Sequence, residues 1–176
     1  MLQDLRVGRN RFIQTAFVVD DIDAAMHHWL KTYNTGPFYI MRHAQIEDLR
    51  YRGKPGQVDA SFAMAQAGGI QIELCAQHND GPSAYRDTFP KGQEGFHHMC
   101  SVTLDYDAEM AHFRALGFEP AMEGRFGEMR FSYLDTRKAF GFMTEVIEEW
   151  EPVRAVHQQV ADAAQNWDGS DPIREL

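Results

Sequence analysis

Four side chains suited to metal binding occur at matching places in two halves of the sequence. A shift of 72 residues lays Glu73 on Glu145 within two similar segments, and a shift of 84 lays Gln14 on His98. Two carboxylates held close together in an enclosed site repel each other unless a proton or a cation lies between them. A divalent metal meets that requirement, because the glutamates and Gln14 offer oxygen and His98 offers nitrogen.

The donor set narrows the choice of ion. Three oxygens and one nitrogen suit Zn, Ni, Co, Mn or Fe better than Ca. Two glutamates neutralise the formal charge of a divalent ion, while Gln and His are neutral ligands. One or two coordination positions then remain for substrate oxygens or water.

The four positions correspond because the chain contains an internal repeat. Over the 16 positions from Gln14 to Trp29, the shift of 84 gives six identities, where about one is expected from background composition. We therefore predict two copies of one module, at about residues 11–77 and 95–149, joined by a linker at 78–94.

Each module predicts the order β-α-β-β-β. A β-prone run opens each copy, and the Asp that follows it, Asp21 or Asp105, is placed to cap the next helix. We expect an α+β fold in which two βαβββ modules form a curved eight-stranded mixed sheet with a concave metal site. The modules together make one domain at 1–150, and residues 151–176 form a C-terminal helix and a polar tail.

Strand alternation places the candidate ligands on one face. Ile72 and Leu74 are apolar and are expected to face the helices, so Glu73 faces the other way. If the first and last strands of each module are neighbours, all four candidates converge in one cleft. The same rule puts His97 on the face opposite His98.

Each candidate metal ligand, considered alone, could instead have a structural role. A lone strand Glu usually faces solvent, and a lone His is more often a hydrogen-bonded interior residue than a ligand. The equivalence of all four in the repeat favours a site. Three histidines are predicted on helices, facing solvent: His27, His28 and His112. For His43 and His78 the sequence leaves open whether they line a pocket.

Composition excludes several classes of protein. The 176 residues carry a net charge of -9, which repels phosphate backbones, so we expect no nucleic-acid partner. No apolar run reaches the 18 residues of a membrane span, and the first residues do not resemble a secretory signal. We expect a cytoplasmic protein without membrane contact, in which Cys75 and Cys100 are small buried thiols.

Several motifs resemble those of the vicinal oxygen chelate superfamily, which includes glyoxalase I, methylmalonyl-CoA epimerase, extradiol dioxygenases and bleomycin-resistance proteins. They are Phe17-Val-Val-Asp-Asp-Ile-Asp-Ala-Ala25, Ile70-Gln-Ile-Glu-Leu74, Gly95-Phe-His-His98 and Tyr133-Leu-Asp-Thr136. The resemblance implies that Gln14, Glu73, His98 and Glu145 occupy the family's four metal-ligand positions. This combination is similar to that of some glyoxalase I enzymes, whereas methylmalonyl-CoA epimerase generally has a second His at the position of Gln14.

The resemblance also implies a chemistry. Members bind a substrate through two adjacent oxygens and stabilise an enolate or oxyanion, so a carboxylate acts as the base. Glu145 is our first choice for that base and Glu73 our second. The expected activity is that of a glyoxalase-like lyase or an epimerase, on a 2-oxo thiohemiacetal or an acyl-CoA thioester, in a homodimer. The alternatives are a sequestering protein without catalysis and an extradiol-type dioxygenase, which prefers two His and one carboxylate.

Overall fold

The computed structural model describes residues 12–176, and the predicted domain and first module begin in the part outside that range. All strands of the described residues join one mixed sheet, which is curved and unclosed. In chain order they are β1 Phe12–Val18, β2 Phe38–Met41, β3 Glu47–Tyr51, β4 Lys54–Pro55, β5 Ala60–Ala67, β6 Ile70–Gln77, β7 Gly95–Thr103, β8 Pro120–Phe126, β9 Met129–Leu134, β10 Met143–Glu148 and β11 Ile173–Glu175.

Five helices connect these strands. They are α1 Ile22–Tyr33, α2 Ala84–Thr88, α3 Tyr106–Ala115, α4 Arg137–Phe140 and α5 Glu151–Ala164. The predicted caps are confirmed, since the Asp21 side chain accepts the Ala24 N–H at 2.9 Å and Asp105 accepts the Ala108 N–H at 3.0 Å. Within residues 12–176, none of the helices combines the length and the apolar character needed to cross a bilayer.

The predicted α+β fold is confirmed, but the sheet has eleven strands instead of eight. The eight predicted strands are all present, and β3, β4 and β11 extend the two edges. The hairpin of β3 and β4 turns at Arg52 and Gly53, which both have positive φ. The last strand of the second module begins at Met143, because Arg137–Phe140 before it form a helical turn.

The strand order places the two modules side by side at the centre of the sheet. From edge to edge it runs β11-β2-β5-β6-β1-β7-β10-β9-β8-β3-β4. The first strand of each module pairs in parallel with the last strand of the same module, and β1 pairs antiparallel with β7. The prediction that the first and last strands are central neighbours is therefore confirmed.

The two faces of the sheet have different coverings. On the convex face, α1 packs on Ile72 and Leu74, and α3 packs on Leu134 and Val146. Over the concave face lies α5, whose Val160 is fully buried against neighbouring sheet residues. The C-terminal strand β11 then pairs with β2, so the chain is fixed to the sheet on both sides of α5.

The cap of α1 gives a test of the local structure. Asp21→Ala should lower the free energy of unfolding by about 1 kcal/mol, because the Ala24 N–H loses its acceptor. Asp21→Asn is the matched control and should keep most of that stability, since Asn caps equally well. Urea unfolding followed by circular dichroism measures the difference; an Ala variant as stable as the wild type would contradict the assignment.

Candidate metal centre

The four predicted site residues lie on the four central strands. Gln14 is on β1, Glu73 on β6, His98 on β7 and Glu145 on β10, and all four are buried. The register brings them together, because Ala16 lies opposite Glu73 on one side and opposite His98 on the other. The small side chain of Ala16 leaves the space between them open.

Three of these side chains converge on one point. His98 Nε2 lies 3.2 Å from Glu145 Oε2 and 3.4 Å from Glu73 Oε2, and one donor atom from each of the three lies within 4.8 Å of the others. Neither contact of His98 Nε2 has the geometry of a hydrogen bond, so this buried nitrogen is unsatisfied. Gln14 lines the cavity that both carboxylates face.

The pKa values of the cluster reflect the burial of two carboxylates close to each other. Burial raises the pKa of Glu73 more than contact with His98 lowers it, and the charge of Glu145 raises it further. Burial alone would raise the pKa of Glu145, but the charge of His98 and the contacts with His98, Cys100 and Tyr133 together outweigh burial and lower it. Burial opposes protonation of His98, yet the negative charges of the two carboxylates raise its pKa to about 9. At neutral pH the protonated His98 therefore supplies the positive charge beside the two carboxylates, and a bound cation would replace it in that role.

His97 fixes the orientation of the His98 ring. His97 Nε2 lies 3.0 Å from the carbonyl oxygen of Ala84, which can only accept, so this nitrogen carries the proton. Burial and the adjacent His98 lower the pKa of His97 to about 3, which keeps the ring neutral and makes its Nδ1 an acceptor. His98 Nδ1, at 2.8 Å, therefore donates to His97 and turns Nε2 toward the carboxylates.

The prediction that His97 faces away from His98 was wrong. Their strand pairs Ala16 with His98 but Phe17 with Phe96, so His97 is the extra residue of a β-bulge. Alternation fails at a bulge, and both imidazole rings contact the Tyr133 ring on the concave side.

A mostly apolar cavity of about 130 Å³ lies above the cluster. Its lining includes the polar residues Gln14, Glu73, Glu145 and His157, together with Tyr133. The apolar part comes from the sheet and from α5, and consists of Met41, Phe62, Met64, Phe126, Met129, Ile147, Val153 and Val156. Three of the lining residues are the aromatic side chains Phe62, Phe126 and Tyr133, whereas Phe38 lies in the convex core.

The sequence analysis missed His157, which lies on α5. Its side chain is buried and lines the cavity, and its carbonyl oxygen accepts the side-chain N–H of buried Gln71 at 2.8 Å. Burial lowers the pKa of His157 to about 4 against the opposing charge of Glu145. The apolar stripe of α5 predicted a buried face, but it did not indicate which surface that face would cover.

The described residues fit a divalent ion. The unsatisfied Nε2 of His98 and the two carboxylates offer ligand atoms that belong to different strands and meet at one point. Neither neighbouring thiol, Cys75 or Cys100, belongs to the group of ligand atoms that lie within 4.8 Å of one another. Nitrogen and oxygen donors are thus the ligands available to an ion there.

Comparison with known sequences assigns the family. A sequence model of the Glyoxalase/Bleomycin resistance protein/Dioxygenase superfamily matches residues 13–133. The chain belongs to this superfamily. The matched range contains Gln14, Glu73 and His98, whereas Glu145 lies beyond it. No curated protein sequence matches the chain.

Solved structures of the superfamily share the fold. Methylmalonyl-CoA epimerase from Mycobacterium tuberculosis is 18% identical, with a TM-score of 0.56 over 82% of this chain and 91% of that one. The Streptomyces coelicolor epimerase, in complex with 2-nitronate-propionyl-CoA, is 21% identical, with a TM-score of 0.53 over 80% of this chain and 98% of that one. A hypothetical protein from Bacillus halodurans is 18% identical, with a TM-score of 0.58 over 82% and 97%.

The burial of His157 predicts a pH dependence of stability. Between pH 6.5 and about 4 the unfolded chain binds a proton at His157 and the native chain does not, so stability falls as the pH falls. In chelator-treated protein, the wild type should lose up to about 1.4 kcal/mol more per pH unit in this window than His157→Gln. Urea unfolding at several pH values measures both slopes. Parallel slopes would show that His157 takes up its proton equally in both states.

Proposed function

We propose that this superfamily member is a divalent-metal-dependent isomerase or lyase that transfers a proton at the carbon next to a carbonyl. The observation that carries the proposal is the convergence of Glu73, Glu145 and the unsatisfied His98 Nε2 on one point beside a mostly apolar cavity that both glutamates line. Zn, Ni, Co, Mn and Fe are the candidate ions.

In this proposal Gln14, Glu73, His98 and Glu145 hold the ion. When bound, the ion supplies Lewis-acid polarisation of a substrate carbonyl, which is worth several kcal/mol. His97 acts as a positioning residue, because it accepts the proton of His98 Nδ1 and so keeps Nε2 directed at the carboxylates.

The two glutamates are the proposed proton carriers. Glu73 reaches the site from β6 and Glu145 from β10, so they approach it from opposite sides of β1 and β7. One carboxylate is placed to remove a proton and the other to return it, which is the arrangement that an epimerase needs. Because a tightly coordinated carboxylate is a poor base, the glutamate that removes the proton must loosen from the ion when substrate binds. Glu145 remains the first choice for the base, and Glu73 the second.

The cavity limits the reacting part of the substrate. Its volume of about 130 Å³ corresponds to roughly four water molecules at ~30 Å³ each. An apolar lining suits a small alkyl group beside the carbonyl, and Val153, Val156 and His157 of α5 cover part of the cavity. The carrier group of an acyl-CoA thioester or a 2-oxo thiohemiacetal must therefore lie outside this space.

Two observations bear on the substrate class. Related epimerases of the same fold have been solved with 2-nitronate-propionyl-CoA and with methylmalonyl-CoA. The cluster brings one His together with two carboxylates, whereas extradiol-type iron chemistry prefers two His and one carboxylate. We therefore favour an acyl thioester over a catechol. Homodimer formation and a cytoplasmic location remain predictions.

Deuterium exchange tests the proposed reaction. Purified protein is incubated in heavy water with methylmalonyl-CoA or with the thiohemiacetal of a small 2-oxoaldehyde, and deuterium at the α-carbon is followed by NMR. We expect exchange that a chelator abolishes and that Glu145→Gln or Glu73→Gln slows at least 100-fold. Glu128→Gln, at an exposed turn glutamate, is the control and should exchange like the wild type. Tight binding without exchange would instead favour the sequestering protein.

The role of His97 gives a separate prediction. His97→Phe removes the acceptor of the His98 Nδ1 proton and should weaken zinc binding 10- to 100-fold, as measured by competition with a chromophoric chelator. His97→Gln offers a carbonyl acceptor and should restore part of the affinity. Equal zinc affinity in the Phe variant and the wild type would contradict the positioning role.

A further inference from the structure

We propose that His43, Asp59 and His78 form a second divalent-metal site. These residues share no side chain with the cluster on the concave face, so the proposal does not rest on the proposed function. One ligand atom from each lies within 4.8 Å of the others. His43 and Asp59 are largely exposed, with 64% and 44% of their side-chain surfaces accessible, so an ion could enter directly from solvent.

The sheet places the three residues together. His43 follows β2, Asp59 precedes β5 and His78 follows β6, and these strands are adjacent in the order β2-β5-β6. Both neighbouring pairs are antiparallel. The end of β2, the start of β5 and the end of β6 therefore lie side by side, at the same end of the three strands.

Hydrogen bonds of the backbone fix this end of the three strands. The His78 N–H donates to the carbonyl oxygen of Asp59 at 2.8 Å, and the Ala44 N–H donates to that of Ala60 at 2.8 Å. The Asp59 N–H donates in turn to the Asn79 side chain at 3.3 Å. The three candidate ligands therefore extend from a fixed backbone and do not need to be ordered by the ion.

Buried Ser61 contacts both histidines, one through its backbone and the other through its ring. Its Oγ accepts the backbone N–H of His43 at 3.0 Å and lies 2.7 Å from His78 Nε2. A ligating His commonly uses its second ring nitrogen for such a hydrogen bond, which fixes the ring orientation. The contact between Ser61 and Nε2 can fix the orientation of the His78 ring in this way.

The geometry of His43 also indicates a held position. Its φ of 48° lies in the left-handed region, which is uncommon for a residue other than Gly. Its Nδ1 lies 2.7 Å from Asp59 Oδ1, and its ring centroid lies 4.5 Å from that of His78. Two imidazoles and one carboxylate are thus brought together.

Two His and one carboxylate match a transition metal or zinc. This donor set leaves three positions of an octahedral ion, or one of a tetrahedral ion, for water or an exogenous ligand. Mg and Ca prefer all-oxygen sites and fit less well. The alternative is a polar cluster without an ion, in which His43 and Asp59 share a hydrogen bond. Measuring bound metal distinguishes this cluster from a metal site.

Zinc stoichiometry tests the proposal. The full chain is stripped with a chelator, dialysed against zinc at a series of concentrations and analysed for bound metal. We expect the His43→Asn/His78→Asn variant to bind one equivalent less than the wild type. The matched control is His27→Asn/His28→Asn, which changes two exposed histidines of α1 and should bind as the wild type does. A His43/His78 variant that binds as much zinc as the wild type would overturn the second site.

Two further variants distinguish zinc binding at the second site from zinc binding at the cluster on the concave face. Asp59→Asn tests the carboxylate separately and should weaken the same equivalent at least 10-fold. Glu73→Gln/Glu145→Gln tests the concave cluster and should leave the equivalent at His43 and His78 in place. If the wild type binds one equivalent that only the His43/His78 variant loses, the proposed function fails and the second site stands. Circular dichroism and thermal unfolding verify that each variant is folded.

Discussion

The structure depends on two carboxylates buried next to one imidazole. Removing an ionised carboxylate from water costs several kcal/mol, and a second one beside it adds repulsion unless positive charge lies between them. Glu73 and Glu145 are fixed on β6 and β10 and cannot separate without breaking the central ladders. The neighbouring residues serve this constraint: Ala16 leaves space, His97 orients His98, and α5 covers part of the cavity.

Much of this arrangement could be predicted from the sequence because the repeat relates residues that are far apart in the chain. The correspondence of Gln14 with His98 and of Glu73 with Glu145 predicts matching strands, and the alternation of Ile72, Glu73 and Leu74 gives the face. Both helix caps follow from an Asp after a β-prone run. These signals are local or repeated, so tertiary contacts are not needed to read them.

Other features depend on strand pairings that the internal repeat does not predict. The bulge that turns His97 toward the site arises from the register between β1 and β7. The hairpin of β3 and β4 belongs to the first module but extends the edge of the second, and β11 crosses back to pair with β2. His43, Asp59 and His78 are likewise separated in sequence and become neighbours only when β2, β5 and β6 align. His157 was missed for the same reason.

X-ray absorption at the metal edge tests the central claim most directly, using zinc bound to the His43→Asn/His78→Asn variant so that only the concave cluster is loaded. The account predicts one imidazole nitrogen and oxygen donors at about 2.0–2.2 Å, with no sulfur shell near 2.3 Å although Cys75 and Cys100 lie close by. A sulfur shell, the absence of any imidazole scattering, or failure of this variant to bind zinc would contradict it.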